Sequence, residues 1–274
     1  KTMITTILFP RSLILMVFSL ILPVSETVLV GEYTDSDLTS QLRKLPNVHS
    51  VTSTPIKTKP KQIIIHLLNW HYISKEDFAA DLSGGKLSEA DIEKRYLHFL
   101  NDVEAVQKEQ KQILRYLIKH QNIQSVYLEG LTEKNLSAFN SFIKTLREFE
   151  VPEGDGALDL FLKEQYRRDC LQMGAAAQLM SSKELKSVLP LENAEVFEAA
   201  NPVGKDGKVR IDEDAEEKRE DEMVKILMKG KGMSVIVLGG GHDLTDNLER
   251  MKMDEVRYVR VSSKQYQRIE KVSN

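Results

Sequence analysis

The sequence predicts an α/β fold: a central, mostly parallel β-sheet flanked by helices, with a long helical insertion. Three observations carry this. Short β-rich runs at Ile63–Leu68, Ser125–Gly130 and Ser234–Gly241 are apolar on successive residues, the profile of strands covered on both faces. The stretches between them place apolar residues at helical spacing. Strands that alternate with helices are joined by crossovers, which makes neighbouring strands parallel. A fourth run, Val256–Ser262, alternates apolar and charged residues and is expected at a sheet edge. The expected strands are thus 63–68, 125–129, 234–238 and 256–261.

In chain order, residues 1–25 come first. Leu13 to Val24 is apolar except for Ser19, Arg11 precedes it, and Pro10 and Pro23 bracket it. That layout is a signal peptide or membrane anchor, so the protein is expected to be exported: periplasmic, secreted or membrane-anchored. Membrane contact is expected through this segment only. Residues 26–61 read as an extended lead-in or linker, ending in the Ser/Thr/Pro/Lys stretch 50–61. A single α/β domain is expected over 62–274. Within it, Ser88 and Asp91 open a helix in the manner of a capping box. Ile92, Tyr96, Leu100, Val103, Val106, Ile113 and Leu117 continue it towards His120. Helices are expected at 135–149 and 158–180, the second with a small-residue patch at Gly174–Ala177. Turn residues at 203–209 suit a hairpin or loop.

Composition removes several function classes. The 38 basic and 41 acidic residues leave a net charge of −3, without the basic excess that phosphate backbones require. A nucleic-acid partner is therefore not expected. One cysteine excludes an internal disulfide framework and a Cys-rich zinc site. A metal site would have to use carboxylates and some of the six histidines.

Ligands in open parallel sheets bind beyond the carboxyl ends of the strands. Asn69-Trp70-His71 follows the first run, Glu129-Gly130 ends the second, and Gly239-Gly240-Gly241-His242-Asp243 follows the third. Two histidines and one glutamate thus fall at one edge of three strands. His71, Glu129 and His242 are candidate ligands for a divalent metal ion with a position open for water. Arg219 lies in the charged stretch 212–222, yet it shares a helical stripe with Met223 and Leu227, so it either faces inward and needs an anion, a substrate group or a carboxylate such as Glu129, or snorkels to the surface near the helix N-terminus. His66 reads as a hydrogen-bonded core histidine, Cys170 as packing, and Trp70 as a pocket wall or packing. His49, His98 and His120 are assigned no function.

These residues resemble the pattern of the TraB/PrgY and Tiki families, part of a wider group with ChaN-like haem-binding lipoproteins and erythromycin esterases. Gly239-Gly240-Gly241-His242 matches the second Gly-x-x-His motif, Arg219 with Met223 the helix, and Glu129 the acid. Leu68-Asn69-Trp70-His71 departs from the first motif, lacking its Gly and its Thr or Glu, while His71 keeps its place. The resemblance implies a sheet flanked by helices and metal-dependent hydrolysis, as in the Tiki peptidases. Its ChaN-like branch implies haem as an alternative ligand.

The leading expectation is an exported metal-dependent hydrolase of peptidase or esterase type, acting on a small-molecule or peptide substrate. Glu129, Arg219 and His242 would be catalytic, Asn69 and Arg219 substrate-binding, and His71, Glu129 and His242 metal ligands. Arg219 would stabilise the developing oxyanion or take a substrate carboxylate. The alternative is a non-catalytic envelope binding protein for haem, iron or a peptide. A third reading makes Arg219–Glu129 a structural ion pair in a scaffold.

Overall fold

A computed structural model describes residues 35–56, 59–82, 87–201 and 212–273. The expected leader at 1–25 and the turn at 203–209 lie outside the described residues. Six strands form one sheet in the order β1-β6-β2-β5-β3-β4. They are β1 (Val48–Ser53), β2 (Gln62–Asn69), β3 (Ser125–Thr132), β4 (Ser187–Glu192), β5 (Gly232–Gly239) and β6 (Val256–Ser263). Only β1 is antiparallel to its neighbour; the other pairings are parallel. The helices are α1 (Asp35–Arg43), α2 (Lys75–Asp81), α3 (Glu89–Gln121), α4 (Leu136–Glu148), α5 (Ala157–Ser181), α6 (Ala194–Ala199), α7 (Glu213–Leu227), α8 (Thr245–Arg250) and α9 (Lys264–Ser273).

The doubly apolar runs are strands because helices cover both faces of the sheet. Ile63, Ile65 and Leu67 of β2 pack with Leu38 and Leu42 of α1, Ile113, Leu114 and Leu117 of α3, and Ala175, Ala176 and Leu179 of α5. Ile64 points the other way, into Met223, Val224 and Leu227 of α7 and Leu244 and Leu248 around α8. Each fully buried aliphatic side chain contributes about 1.5–3 kcal/mol relative to exposure. α3 starts where the sequence places it, with the Ser88 hydroxyl accepting from the Asp91 amide at 3.2 Å. α5 breaks at Gly174, whose φ of 82° is open to glycine, and the three alanines after it are buried against the core.

Two expectations need correction. β6 lies inside the sheet, between β1 and β2. Its charged residues do not face open water: Arg257 reaches Thr39 and Ser53, and Arg260 reaches Asp243 and two backbone carbonyls. An alternating pattern marks polar partners as well as solvent. The strand that takes the edge, β1, lies wholly in the stretch 26–61 read as a lead-in or linker, as does α1. Val48 and Val51 join the main core with α1, so the sheet recruits residues well before Gln62. β4 also went unread, since Pro190 disguises it; edge position is what tolerates a proline there.

The topology fixes where a ligand can sit. From β2 the chain goes on to β3, beyond β5, whereas from β5 it returns to β6, beyond β2. Connections that leave neighbouring strands in opposite directions open a crevice at their carboxyl ends. Asn69 pairs with Gly239 at that edge.

Candidate active site at the carboxyl edge

Glu129 stands at the centre of the crevice. The β3–β4 register shifts between Leu128 and Thr132, and Gly130 adopts φ 73°, a bulge that re-aims the preceding side chain. Both Glu129 oxygens are engaged twice. Oε2 accepts from the Gly239 amide at 2.7 Å and faces His71 Nε2 at 3.1 Å. Oε1 accepts from Arg219 Nη2 at 3.1 Å and faces His242 Nε2 at 3.4 Å. Burial alone would raise the carboxyl, but hydrogen bonds from His242 and His71 reverse this and hold it well below the usual carboxylate range. It is an anchor rather than a base.

His71 follows β2, and its side chain is 49% exposed. Gln110 of α3 donates to the Asn69 side-chain oxygen at 3.0 Å, which turns the Asn69 NH2 towards His71 Nδ1, 3.4 Å away. His71 Nε2–H therefore donates to Glu129, and Nδ1 is the basic nitrogen. His242 lies in the tight turn after β5, where its amide donates to the Gly239 carbonyl at 3.2 Å. Its Nδ1 donates to Glu220 of α7 at 2.7 Å. Burial would lower His242, yet the bonds to Glu129 and Glu220 outweigh it and push it up to about 9. At neutral pH it is an imidazolium.

Arg219 does face inward, as its helical phase requires, and it does meet Glu129. It is not free to bind substrate. Nε and Nη2 both donate to Glu192, the shortest contact being 2.7 Å, and Nη1 reaches Glu216 at 3.3 Å. Its guanidinium also stacks over Phe197. The expected role on an oxyanion or substrate carboxylate is corrected: Arg219 holds Glu129 from behind and is absent from the pocket lining.

That pocket has a volume of about 490 Å³. Asn69, His71, Glu129 and His242 line it together with the Gly239–Gly241 backbone; Trp70, Ile73, Phe99 and Tyr266 supply an apolar wall. A Cβ on Gly239 would come within 2.6 Å of His71 Nε2, and one on Gly240 would collide with the Tyr266 hydroxyl. Close approach to the buried Tyr266 thus requires glycine at 240, whereas at 239 the glycine leaves room for the half-exposed His71 ring. Arg260 clamps the turn by donating to the carbonyls of Gly240 and His242 at 2.8 and 3.0 Å.

His66 is fully buried with its tautomer fixed: Nε2–H donates to the Leu238 carbonyl, and Nδ1 accepts from the Tyr258 hydroxyl. It is the core histidine the sequence suggests.

Two imidazoles and one carboxylate are donors that a divalent ion accepts. As folded, however, four hydrogen-bond donors saturate Glu129, and one of them is a guanidinium that a cation would have to face. Among the described residues no group of three His, Cys, Asp or Glu side chains is disposed to hold a metal ion.

The fold and site define an α/β protein with a His–Glu–His cluster at the carboxyl edge of a parallel sheet. Set against family models, curated proteins and solved structures, the chain has no match. Sequence reading missed Glu192, Glu216 and Glu220. Leu191-Glu192 repeats the Leu128-Glu129 ending of β3, a signal hidden once β4 was unread. Glu216 and Glu220 lie three residues before and one after Arg219, which places them beside its stripe on the helix.

Proposed function

We propose that this chain is an exported hydrolase of ester or peptide-type acyl bonds whose acid–base chemistry is carried by His71 and His242, with Glu129 anchoring both. The observation that supports it most is that one buried carboxylate joins a half-exposed imidazole to a largely buried one on the wall of a pocket. His71 Nδ1 takes a proton from water as the water oxygen adds to the acyl carbon. Glu129 stabilises the imidazolium that forms on His71, as a buried carboxylate does for a histidine base. The His242 imidazolium offsets the developing oxyanion charge, and its Nε2–H leaves the long 3.4 Å contact with Glu129 to protonate the alcohol or amine as its bond to the acyl carbon breaks. Base and acid thus stand in different surroundings, His71 half exposed and His242 held between two carboxylates, a division of labour typical of hydrolytic sites.

The glycine-His242 turn and the Arg219–Met223 helix, through their resemblance to TraB and Tiki proteins, favour hydrolysis as well. The reading departs from that resemblance in routing no step through a metal ion. Export rests on the apolar run Leu13–Val24.

The test is turnover by the purified full chain of neutral aryl esters and anilides. Wild-type protein hydrolyses at least one of them. His71→Asn loses about a hundredfold or more in kcat, the range a general base supplies. His98→Ala, on the exposed face of α3, keeps full activity. A wild-type protein that binds but never turns over these compounds favours the alternative, a binding protein without catalysis.

A further inference from the structure

We infer that the pocket selects an uncharged acyl group bearing an aromatic or branched aliphatic side chain and rejects anionic ligands. The inference rests on the hydrolase reading for the word acyl, and on the pocket's own walls for the rest.

The apolar side of the pocket is built before any ligand arrives. Trp70 meets Tyr266 edge-on with centroids 6.1 Å apart, and it packs with Leu68, Val106 and Ile269. Phe99 stacks on Tyr96 at 6.0 Å and meets Phe78 at 5.3 Å. Ile73 completes this wall. Side chains fixed by packing lose little freedom on binding, so burying an apolar group against them is not offset by ordering. A space of about 490 Å³ lies within the range of small-ligand pockets. It takes a phenyl or branched alkyl group with an adjoining amide or ester.

The charge inventory decides the other half. Among the described residues no lysine or arginine lines the pocket. The two guanidiniums behind it are committed, Arg219 to Glu192, Glu129 and Glu216, and Arg260 to Asp243 and two carbonyls. Of the described lining residues, His242 is the one held charged by its partners, and Glu129 and Glu220 flank it. One positive charge between two negative ones leaves the cluster net negative. A carboxylate or phosphate entering beside it would be desolvated without a partner and repelled by Glu129. A neutral carbonyl meets neither cost.

The test uses the full chain and its single tryptophan, Trp70, which stands in the pocket wall. Intrinsic fluorescence is followed during titration with 3-phenylpropanamide, 3-phenylpropanoate and propanamide. The amide with the phenyl group gives a saturable change, and its affinity exceeds that of the other two by about tenfold or more. Phe99→Leu weakens phenylpropanamide binding severalfold. The inference is overturned if phenylpropanoate binds as tightly as phenylpropanamide, if propanamide does, or if no saturable change occurs. Binding with this preference but without hydrolysis of phenylpropanoyl esters would leave the inference standing and sink the hydrolase reading. Hydrolysis with no preference for phenylpropanoyl over acetyl esters would do the reverse.

Discussion

Arg219 reaches Glu129 at 3.1 Å but holds Glu192 more tightly, at 2.7 Å, with Glu192 almost wholly buried at the end of the neighbouring strand. The guanidinium therefore ties the carboxyl ends of β3 and β4 to α7, and through Glu129 it sets the position of both histidines. Removing one partner of a buried pair leaves an uncompensated charge and costs about 3–5 kcal/mol. Arg219→Gln is accordingly expected to lower stability by that amount in urea unfolding. The double variant Arg219→Gln/Glu192→Gln should lose less than the two single losses added, by at least about 1 kcal/mol. Strict additivity would show that the pair is not coupled.

His242 links the site to alkaline pH. Its folded pKa of about 9 exceeds the ordinary 6.5, so the charged form stabilises the fold. That contribution is complete below about pH 6.5 and is lost as pH rises through about 9. Melting temperature should fall over this interval in wild-type protein and fall less steeply in His242→Gln. Superimposable pH profiles for the two proteins would contradict the assignment.

His66 acts at the acid side with the opposite sign. Burial first of all, together with the nearby Arg260 and His242 charges, lowers it to about 3 against the pull of the Leu238 carbonyl. The unfolded chain takes up a proton near pH 6.5 that the folded chain refuses, so stability declines as pH falls below that value. The loss reaches about 2 kcal/mol by about pH 5. Replacing His66 with Gln should flatten the acid limb by close to one proton; an unchanged slope would refute the buried neutral histidine.

Gly239→Ala separates position from stability. The new methyl would stand 2.6 Å from His71 Nε2, and because His71 is half exposed its ring can swing aside. The backbone there needs no positive φ. Hydrolysis should drop about tenfold or more, since displacing the base by about an ångström is enough. Unfolding free energy should change by no more than about 0.5 kcal/mol. A large loss of stability with the remaining folded protein fully active would show that the glycine serves packing alone.

Much of this architecture is legible in the sequence because burial on both faces leaves an unmistakable signature. Ile63–Leu68 and Ser234–Leu238 have no polar face to confuse the reading, and strand-end position then selects His71, Glu129 and His242. The phase of Arg219 follows from Met223 and Leu227. What stays hidden depends on partners far along the chain. Arg257 and Arg260 look like a wet face until Thr39, Ser53 and Asp243 are in place. Glu192 gives no hint of carrying Arg219 because Pro190 breaks the strand pattern before it. Strand-end position and residue type bring His71, Glu129 and His242 together as candidate ligands; the engagement of Glu129 by Gly239, Arg219 and both histidines is a property of geometry.

The central claim is that Glu129 works by anchoring two imidazoles, His71 as base and His242 as acid. Its most direct test is kcat/KM for a phenylpropanoyl ester with chelator-dialysed full-length protein, beside Glu129→Gln and a sample refilled with zinc. The account predicts that dialysed wild-type protein retains its activity, zinc adds nothing, and Glu129→Gln loses about a hundredfold or more. Activity abolished by the chelator and restored by zinc would contradict it, and would make His71, Glu129 and His242 metal ligands instead.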